Sequence, residues 1–401
     1  MKTPPFTLSF TQQEPISEKA IEAAVSVMRS GRLHRYNTVE GELSQAALLE
    51  QEFAAFQGSR YCLACASGGY ALQLALRALD LQAGEHVLTN AFTLAPVPGA
   101  IVAVGGRPLL VETTADLTPD LDDLERKIVA SKARVLLLSH MRGHMPAMDA
   151  VMALVSRHRL ILVEDCAHTM GASWAGRRSG TFGHVACFST QTYKHMNSGE
   201  GGLLTTDDGT VAARATVMSG SYMLYERHGT VPALSRIEDV RLRTPNLSGR
   251  MDNLRAVILR HQLEELDGQA DRWNERYAVL AEKLGSCNAV YMPRRPPQEH
   301  YVGSSIQFLL PGLEAGQAPA FVEACRRQGV ELKWFGRSEP LAFTSTHHHW
   351  QFVEGQAMPK TDQILARLFD MRIPLTFSPA DCAQIGDIIL DAIAELGMHD
   401  G

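Results

Sequence analysis

The stretch Phe188-Ser-Thr-Gln-Thr-Tyr-Lys-His-Met-Asn-Ser-Gly-Glu-Gly-Gly202 decides how the chain is read. Lys194 lies inside it, in a Ser/Gly-rich loop between two strand-like runs. Upstream, the apolar run Ile161-Leu-Val-Glu-Asp165 ends on an acid. The chain has only eight lysines. Lys2, Lys19, Lys127, Lys132, Lys283, Lys333 and Lys360 lie near a terminus, in charged helical segments or in polar loops. Lys194 alone combines a glycine-rich loop with a strand-end carboxylate. Those are the two groups a pyridoxal phosphate enzyme uses, an amine for the Schiff base and an acid that keeps the pyridine nitrogen protonated.

Outward from that loop, residues 60–210 alternate between strand and helix. Strand-like runs fall at 61–66, 86–89, 108–112, 135–139, 160–164, 185–189 and 202–205. Helical runs fall at 71–79, 95–104, 121–131 and 148–158. Apolar strands joined by amphipathic helices predict an α/β fold, with a mainly parallel central sheet covered on both faces. Residues 251–284 carry Leu254, Ile258, Leu263 and Leu266 at helical spacing and predict one long helix or two. A strand at 304–310, a helix at 318–328 and a last helix at 381–396, opened by Ser378-Pro379-Ala380-Asp381, predict a smaller C-terminal α+β domain. The expected division is a large domain over 1–260 and a small one over 261–401.

Bulk properties narrow the function. The chain has 401 residues, 45% hydrophobic and 20% charged, with a net charge of −6. That charge argues against nucleic acid as a partner, because a phosphate backbone demands a basic face. The most basic stretch, 236–250, is interrupted by acids and reads as a solvated loop. No apolar run reaches the length of a membrane span, and the N-terminus lacks the core of a signal peptide. Seven cysteines, an odd number scattered through apolar segments, suggest reduced thiols and a cytoplasmic protein. Cys62 and Cys65 have CxxC spacing, but within a strand that odd step sends them to opposite faces. The triplet His347-His348-His349 lacks a matching Cys/Asp/Glu set and reads as an exposed loop; no metal is expected.

Ser67-Gly68-Gly69 joins the first strand to an Ala/Leu-rich helix. Such a turn gathers free N–H groups and the positive helix end, which suits phosphate; it also serves as an ordinary βα connection. The lysine downstream favours phosphate. Ser189, five residues before Lys194, is placed to donate its hydroxyl to the same group. Asp165 ends a strand where open α/β sheets hold ligands, and a pyridinium N–H⁺ would balance its charge. A helix N-cap is the alternative role. His168 follows three residues on and either faces the ring or is structural.

Four motifs in order resemble the DegT-type sugar aminotransferases, among the fold type I pyridoxal phosphate enzymes. They are Ser67-Gly68-Gly69-Tyr70-Ala71-Leu72, then Glu164-Asp165-Cys166-Ala167-His168 through Gly171-Ala172. The third is Phe188-Ser189, Lys194 and Gly199-Glu200-Gly201-Gly202. The fourth is Arg250-Met251, Leu254, Ala256, Gln262-Leu263 and Leu266-Asp267. The resemblance covers nearly the whole chain. It implies an aspartate-aminotransferase-like fold, pyridoxal 5'-phosphate as cofactor and a homodimer with shared active sites. A polar residue before Arg250, Asn246 or Ser248, would then reach the partner's phosphate. The implied reaction moves an amino group from glutamate or glutamine to a keto sugar or related small acceptor. Elimination, racemisation or carbon–carbon bond formation on an amino acid is the competing expectation, and a binding protein without turnover a third.

Departures from the family pattern bear on the substrate. Gly69 stands where a threonine is usual. Leu94 aligns with an aromatic that stacks on the cofactor, and the nearest aromatic is Phe92. The segments 139–144 (Ser-His-Met-Arg-Gly-His) and 333–336 (Lys-Trp-Phe-Gly) are unusual for the family. Lys194 is retained, unlike the histidine of relatives that remove a sugar hydroxyl.

Overall fold

The computed structural model describes residues 3–314 and 316–397. Its centre is a seven-stranded sheet of β1 (Tyr61–Cys65), β2 (His86–Asn90), β3 (Arg107–Val111), β4 (Val135–Ser139), β5 (Ile161–Asp165), β8 (Val185–Ser189) and β9 (Gly202–Thr206). The spatial order is β1-β9-β8-β5-β4-β2-β3. Only β9 runs against the rest, pairing antiparallel with both β1 and β8. The mainly parallel sheet expected from the strand–helix alternation is present, and the strands from β3 to β8 all end at one edge.

Strand β4 shows why the sheet is buried on both faces. Its run Val-Leu-Leu-Leu has no polar alternation. Val135 and Leu137 pack with residues of α3 (Gly68–Ala78), α4 (Pro96–Ala103) and α7 (Gly209–Gly220). Leu136 and Leu138 face α5 (Leu121–Ser131) and α6 (Met148–His158). Each buried leucine contributes about 1.5–3 kcal/mol. The same period of two sends Cys62 and Cys65 into different cores, and both are free, buried thiols. Helix α2 (Gln45–Gln57) covers the β1 end of that second face.

Residues 251–284 form one helix, α9 (Asn253–Gly285), capped by Asp252 accepting from Arg255 N at 2.9 Å. The division expected at 260/261 lies inside it. Beyond α9, β11 (Ser305–Leu309), β13 (Leu368–Arg372) and β12 (Lys333–Trp334) form an antiparallel sheet in that order. Helices α10 (Gln317–Arg327) and α12 (Pro379–Glu395) pack on it. Phe6 and Phe10, from the opposite end of the chain, join that same core. The expected capping residues of α12 form a reciprocal box: Ser378 Oγ accepts from Asp381 N at 3.1 Å, and Asp381 Oδ2 accepts from Ser378 N at 2.7 Å. Helices α1 (Glu18–Ser30) and α11 (Pro359–Leu365) and the short strands β6 (Ser173–Trp174), β7 (Arg177–Arg178) and β10 (Glu299–His300) complete the elements used below.

Two sequence expectations need correction. The basic stretch begins inside a helix, α8 (Leu234–Val240), because Ile237 and Val240 share one helical face and bury it against Ala213 and Val217 of α7. The histidine triplet is not wholly exposed. His347 is buried, and it shares Asp362 Oδ1 with His348 at 2.8 and 2.7 Å. Asp362 lies on α11, fifteen residues downstream, so only the fold brings the carboxylate near.

Candidate active site

Strands β4, β5 and β8 end on Ser139, Asp165 and Ser189, and a cavity of about 520 Å3 opens above them. Seven of the residues singled out from sequence line it: Ser67, Gly68, Gly69, Asp165, His168, Ser189 and Lys194. Asn246 and Ser248 do not; they are exposed on the surface of their own chain.

The phosphate-like end is the start of α3. Ser67 caps it, its Oγ accepting from Tyr70 N at 3.1 Å, and its carbonyl accepts from Ala71 N at 2.9 Å. The N–H groups of Gly68 and Gly69 belong to the first helical turn, which offers them no intrahelical acceptor. Glycines permit this arrangement by close approach. A Cβ on Gly68 would lie 2.8 Å from Ser189 Cβ, and one on Gly202 would overlap the Ser67 backbone. Gly69 differs: its φ is not positive, and a Cβ there would meet only Pro96 Cβ at 3.8 Å. Neither backbone conformation nor crowding demands glycine at that position.

Asp165 is held by a polar relay. Thr93 Oγ1 donates to Ser139 Oγ at 2.9 Å, and Ser139 Oγ donates to Asp165 Oδ2 at 2.9 Å. Ala167 N donates to Oδ1 at 3.1 Å. Asn90 fixes Ser139 by exchanging two hydrogen bonds with its backbone. An ionised carboxylate has about four acceptor sites, so two accepted bonds leave room for a further N–H donor. No helix follows Asp165, so it is not the N-cap that was the alternative in sequence; it accepts from Ala167 N two residues on, stabilising a turn, and lines the cavity.

Lys194 Nζ sits 2.7 Å from His168 Nε2. Burial, then repulsion from Arg142, brings the amine down to about 7, while Asp165 acts the other way and Arg372 adds to the lowering. Burial, with Lys194 and Arg142 nearby, likewise holds His168 well below its usual range. His168 Nδ1 accepts from Arg142 N at 3.4 Å, so its Nε2 carries the hydrogen that it presents to the amine. The arrangement places an amine whose neutral, nucleophilic form is accessible near pH 7 in one cavity with a strand-end carboxylate.

Several lining residues had no role assigned from sequence. Ser139 and Arg142 lie in the unusual 139–144 segment, but their partners Asp165 and Asp370 are distant along the chain. Phe343 and Arg372 line the cavity and carried no sequence signal. Leu94 forms part of the wall, whereas Phe92 is buried in an adjacent cluster, edge-on to Phe335 at 5.1 Å. The 333–336 segment thus supports that cluster through Phe335, and residues 342–343 provide the surface there instead.

A sequence profile described as the DegT/DnrJ/EryC1/StrS aminotransferase family matches residues 14–390. The chain is 31% identical over 289 residues to the 3-amino-5-hydroxybenzoate synthase of Amycolatopsis mediterranei (strain S699), covering 70% of this chain and 71% of that protein. It is 31% identical over 271 residues to an L-glutamine:2-deoxy-scyllo-inosose aminotransferase of Micromonospora echinospora, covering 67% of this chain and 63% of that one. The crystal structure of 3-amino-5-hydroxybenzoic acid synthase superposes with a TM-score of 0.82 at 24% identity, over 98% of this chain and 100% of that chain.

Proposed function

Because the chain belongs to the DegT/DnrJ/EryC1/StrS aminotransferase family, we propose that it is a pyridoxal phosphate-dependent aminotransferase moving an amino group from glutamine or glutamate to the keto group of a sugar or related small cyclic acceptor. The observation that carries this reading is the near-neutral amine of Lys194 in one cavity with the Asp165 carboxylate and the start of α3.

The residues present fit the cofactor end by end. Gly68 and Gly69 N–H groups with the Ser67 and Ser189 hydroxyls suit its phosphate, Asp165 its ring nitrogen and Lys194 its aldehyde. Bound there, pyridoxal phosphate supplies an aldehyde that takes up an amino group and a protonated ring that draws electrons from the adjoining carbon. Lys194 Nζ, near neutrality, takes the proton from the donor's α-carbon and returns one in the second half-reaction to the acceptor carbon that gains nitrogen. His168 Nε2–H holds that amine in position. The Thr93–Ser139–Asp165 relay keeps the carboxylate oriented.

The proposal includes a cytoplasmic homodimer. Asn246 and Ser248 are held by their own chain, with Ser248 N donating to Asn246 Oδ1 at 3.0 Å and Arg250 Nη2 to Ser248 Oγ at 3.0 Å. They face outward beside the exposed apolar residues Leu242 and Leu247, which suits completion of a partner's phosphate site. Among the described residues, no helix is long and apolar enough to cross a membrane.

The test is spectroscopic. The purified protein should carry a Schiff-base absorption band that Lys194→Ala abolishes, together with turnover. L-Glutamine or L-glutamate should convert the cofactor stoichiometrically to pyridoxamine phosphate with release of keto acid, which elimination or racemisation would not do. Full activity in Lys194→Ala refutes the proposal.

A further inference from the structure

The histidine triplet at 347–349 meets its acid only in the fold, where α11 brings Asp362 against it. His347 Nε2 and His348 Nε2 both reach Asp362 Oδ1, at 2.8 and 2.7 Å. The two rings lie side by side, their centres 4.0 Å apart. The three polar atoms fall within 4.8 Å of one another, and none of the three residues lines the cavity of Lys194. His349 stays apart, its Nδ1 accepting from Thr346 N at 3.0 Å and its Nε2 donating to Ser338 O at 3.0 Å. Those two bonds, with His349 N donating to Thr346 O at 2.9 Å, fix the turn that presents the other two histidines. On the opposite side, Thr361 Oγ1 donates to Glu112 Oε2 at 2.6 Å and accepts from Thr113 N at 3.0 Å, which ties α11 to the end of β3. The imidazoles and the carboxylate are thus held by separate, anchored elements.

The local charge favours a cation. Among the described residues no lysine or arginine pairs with Asp362 or with Glu112, while Lys360 between them is taken by Asp120 at 2.7 Å. Asp362 also receives no backbone N–H; its side-chain partners are the two imidazoles, both on one oxygen. An ionised carboxylate offers about four acceptor sites, so capacity remains, and the side chain is 38% exposed to incoming ions. A second set of three potential ligands, His140, Glu164 and Cys166, shows the contrast. Glu164 is fully buried and already accepts four bonds, from Gly180 N, Phe182 N, Gly183 N and His140 Nε2 at 2.7–3.1 Å. That carboxylate is used up by hydrogen bonds, and the one at Asp362 is not.

We propose that His347, His348 and Asp362 form a binding site for a divalent transition-metal ion, zinc being the best match, which the triplet alone did not suggest. Two imidazoles and a carboxylate are the donors such ions take, whereas magnesium and calcium prefer oxygen throughout. In a tetrahedral zinc shell, with bonds of about 2.0–2.1 Å, neighbouring donor atoms stand about 3.3 Å apart. The present contacts of 2.7 and 2.8 Å must open by roughly half an ångström, which rotation of the exposed His348 and the part-exposed Asp362 supplies. Water completes the shell. The ion clamps the segment 341–350 to α11. That segment also carries Ala342 and Phe343, which line the cavity of Lys194, so the ion braces one cavity wall from outside. The site is independent of the aminotransferase reading.

The experiment is calorimetric titration of the full-length, cofactor-loaded protein, stripped with EDTA and dialysed, with zinc chloride and with magnesium chloride. Wild type should bind one zinc ion per chain and no magnesium. His348→Gln and Asp362→Asn each remove a donor and should weaken zinc binding by more than about 100-fold, since changes to groups behind the ligands already cost 10- to 100-fold. Both positions reach the surface, and the metal-free melting temperature and cofactor absorption spectrum report whether each variant folds as wild type does. Hydrogen exchange on wild type decides without any variant. With free zinc about a hundredfold above its Kd, exchange that requires opening of 341–350 should slow by up to about 100-fold, and amides remote from α11 should not change. Absence of zinc binding in wild type, zinc binding that both substitutions leave intact, or unaltered exchange in 341–350 overturns the proposal. Magnesium binding as tight as zinc overturns the assignment to a transition metal.

Discussion

The pH dependence of cofactor capture by Lys194 follows directly from its surroundings. Burial disfavours the ammonium, Arg142 and Arg372 repel it, and Asp165 opposes them; the result is an amine at about 7. Only the neutral amine attacks an aldehyde. With that value, roughly one-tenth is neutral at pH 6, half at pH 7 and nine-tenths at pH 8. The rate at which apoenzyme captures pyridoxal phosphate should therefore rise about tenfold from pH 6 to 8 and then level off. An ordinary lysine, titrating near ~10.4, would gain about 100-fold over the same interval and keep rising to pH 10. Stopped-flow absorbance of Schiff-base formation measures the rate. Dividing by the rate with Nα-acetyl-lysine, corrected for that amine's own neutral fraction, removes the cofactor's ionisation. Arg372→Gln removes one repelling cation and should move the midpoint upward. A rate that climbs tenfold per pH unit through pH 9 would refute the reasoning, because it would show a lysine that neither burial nor the arginines perturb.

Three further outcomes are expected. Ser139→Ala removes the donor to Asp165 Oδ2 and the acceptor for Thr93 Oγ1, and should lower kcat/KM by about 10- to 100-fold while costing about 1–3 kcal/mol of stability; wild-type kinetics would show that the relay does not orient the carboxylate. Gly69→Thr places its Cβ 3.8 Å from Pro96 Cβ, an ordinary contact, and replaces a glycine in a helix, so the variant should be more stable by about 0.3–1 kcal/mol and bind pyridoxal phosphate more tightly; weaker binding in an equilibrium titration would contradict the cradle assigned to that turn. Arg35→Met leaves Glu50 buried without its bidentate partner at 2.9 Å and should cost about 3–5 kcal/mol in denaturant unfolding; a loss under about 1 kcal/mol would mean that His228 and the backbone donors suffice.

Most of the framework was legible because it is local. Strands β4 and β8 and helices α5 and α6 coincide with their expected ranges, since continuous apolar runs and helical periodicity are written in adjacent residues. The positions of Ser67–Gly69, Asp165 and Ser189 at element ends, and of Lys194 in the loop between β8 and β9, were legible for the same reason. The basic stretch was misread because its charges outnumber the two apolar residues that bury α8. His347 was misread because its carboxylate lies on another element.

Near neighbours in the chain suffice to pick out three candidate parts, an amine, an acid and a turn suited to phosphate, each carried by a short motif that lines one cavity. What surrounds them comes from the tertiary fold. It brought Ser139 to Asp165 across neighbouring strands, lowered Lys194 by burying it and setting two arginines far apart in the chain beside it, and set Arg142 against Asp370 from the C-terminal sheet. The reason is physical: an element's shape depends on near neighbours, whereas burial and the electrostatic field at a site depend on residues that only folding brings within a few ångströms.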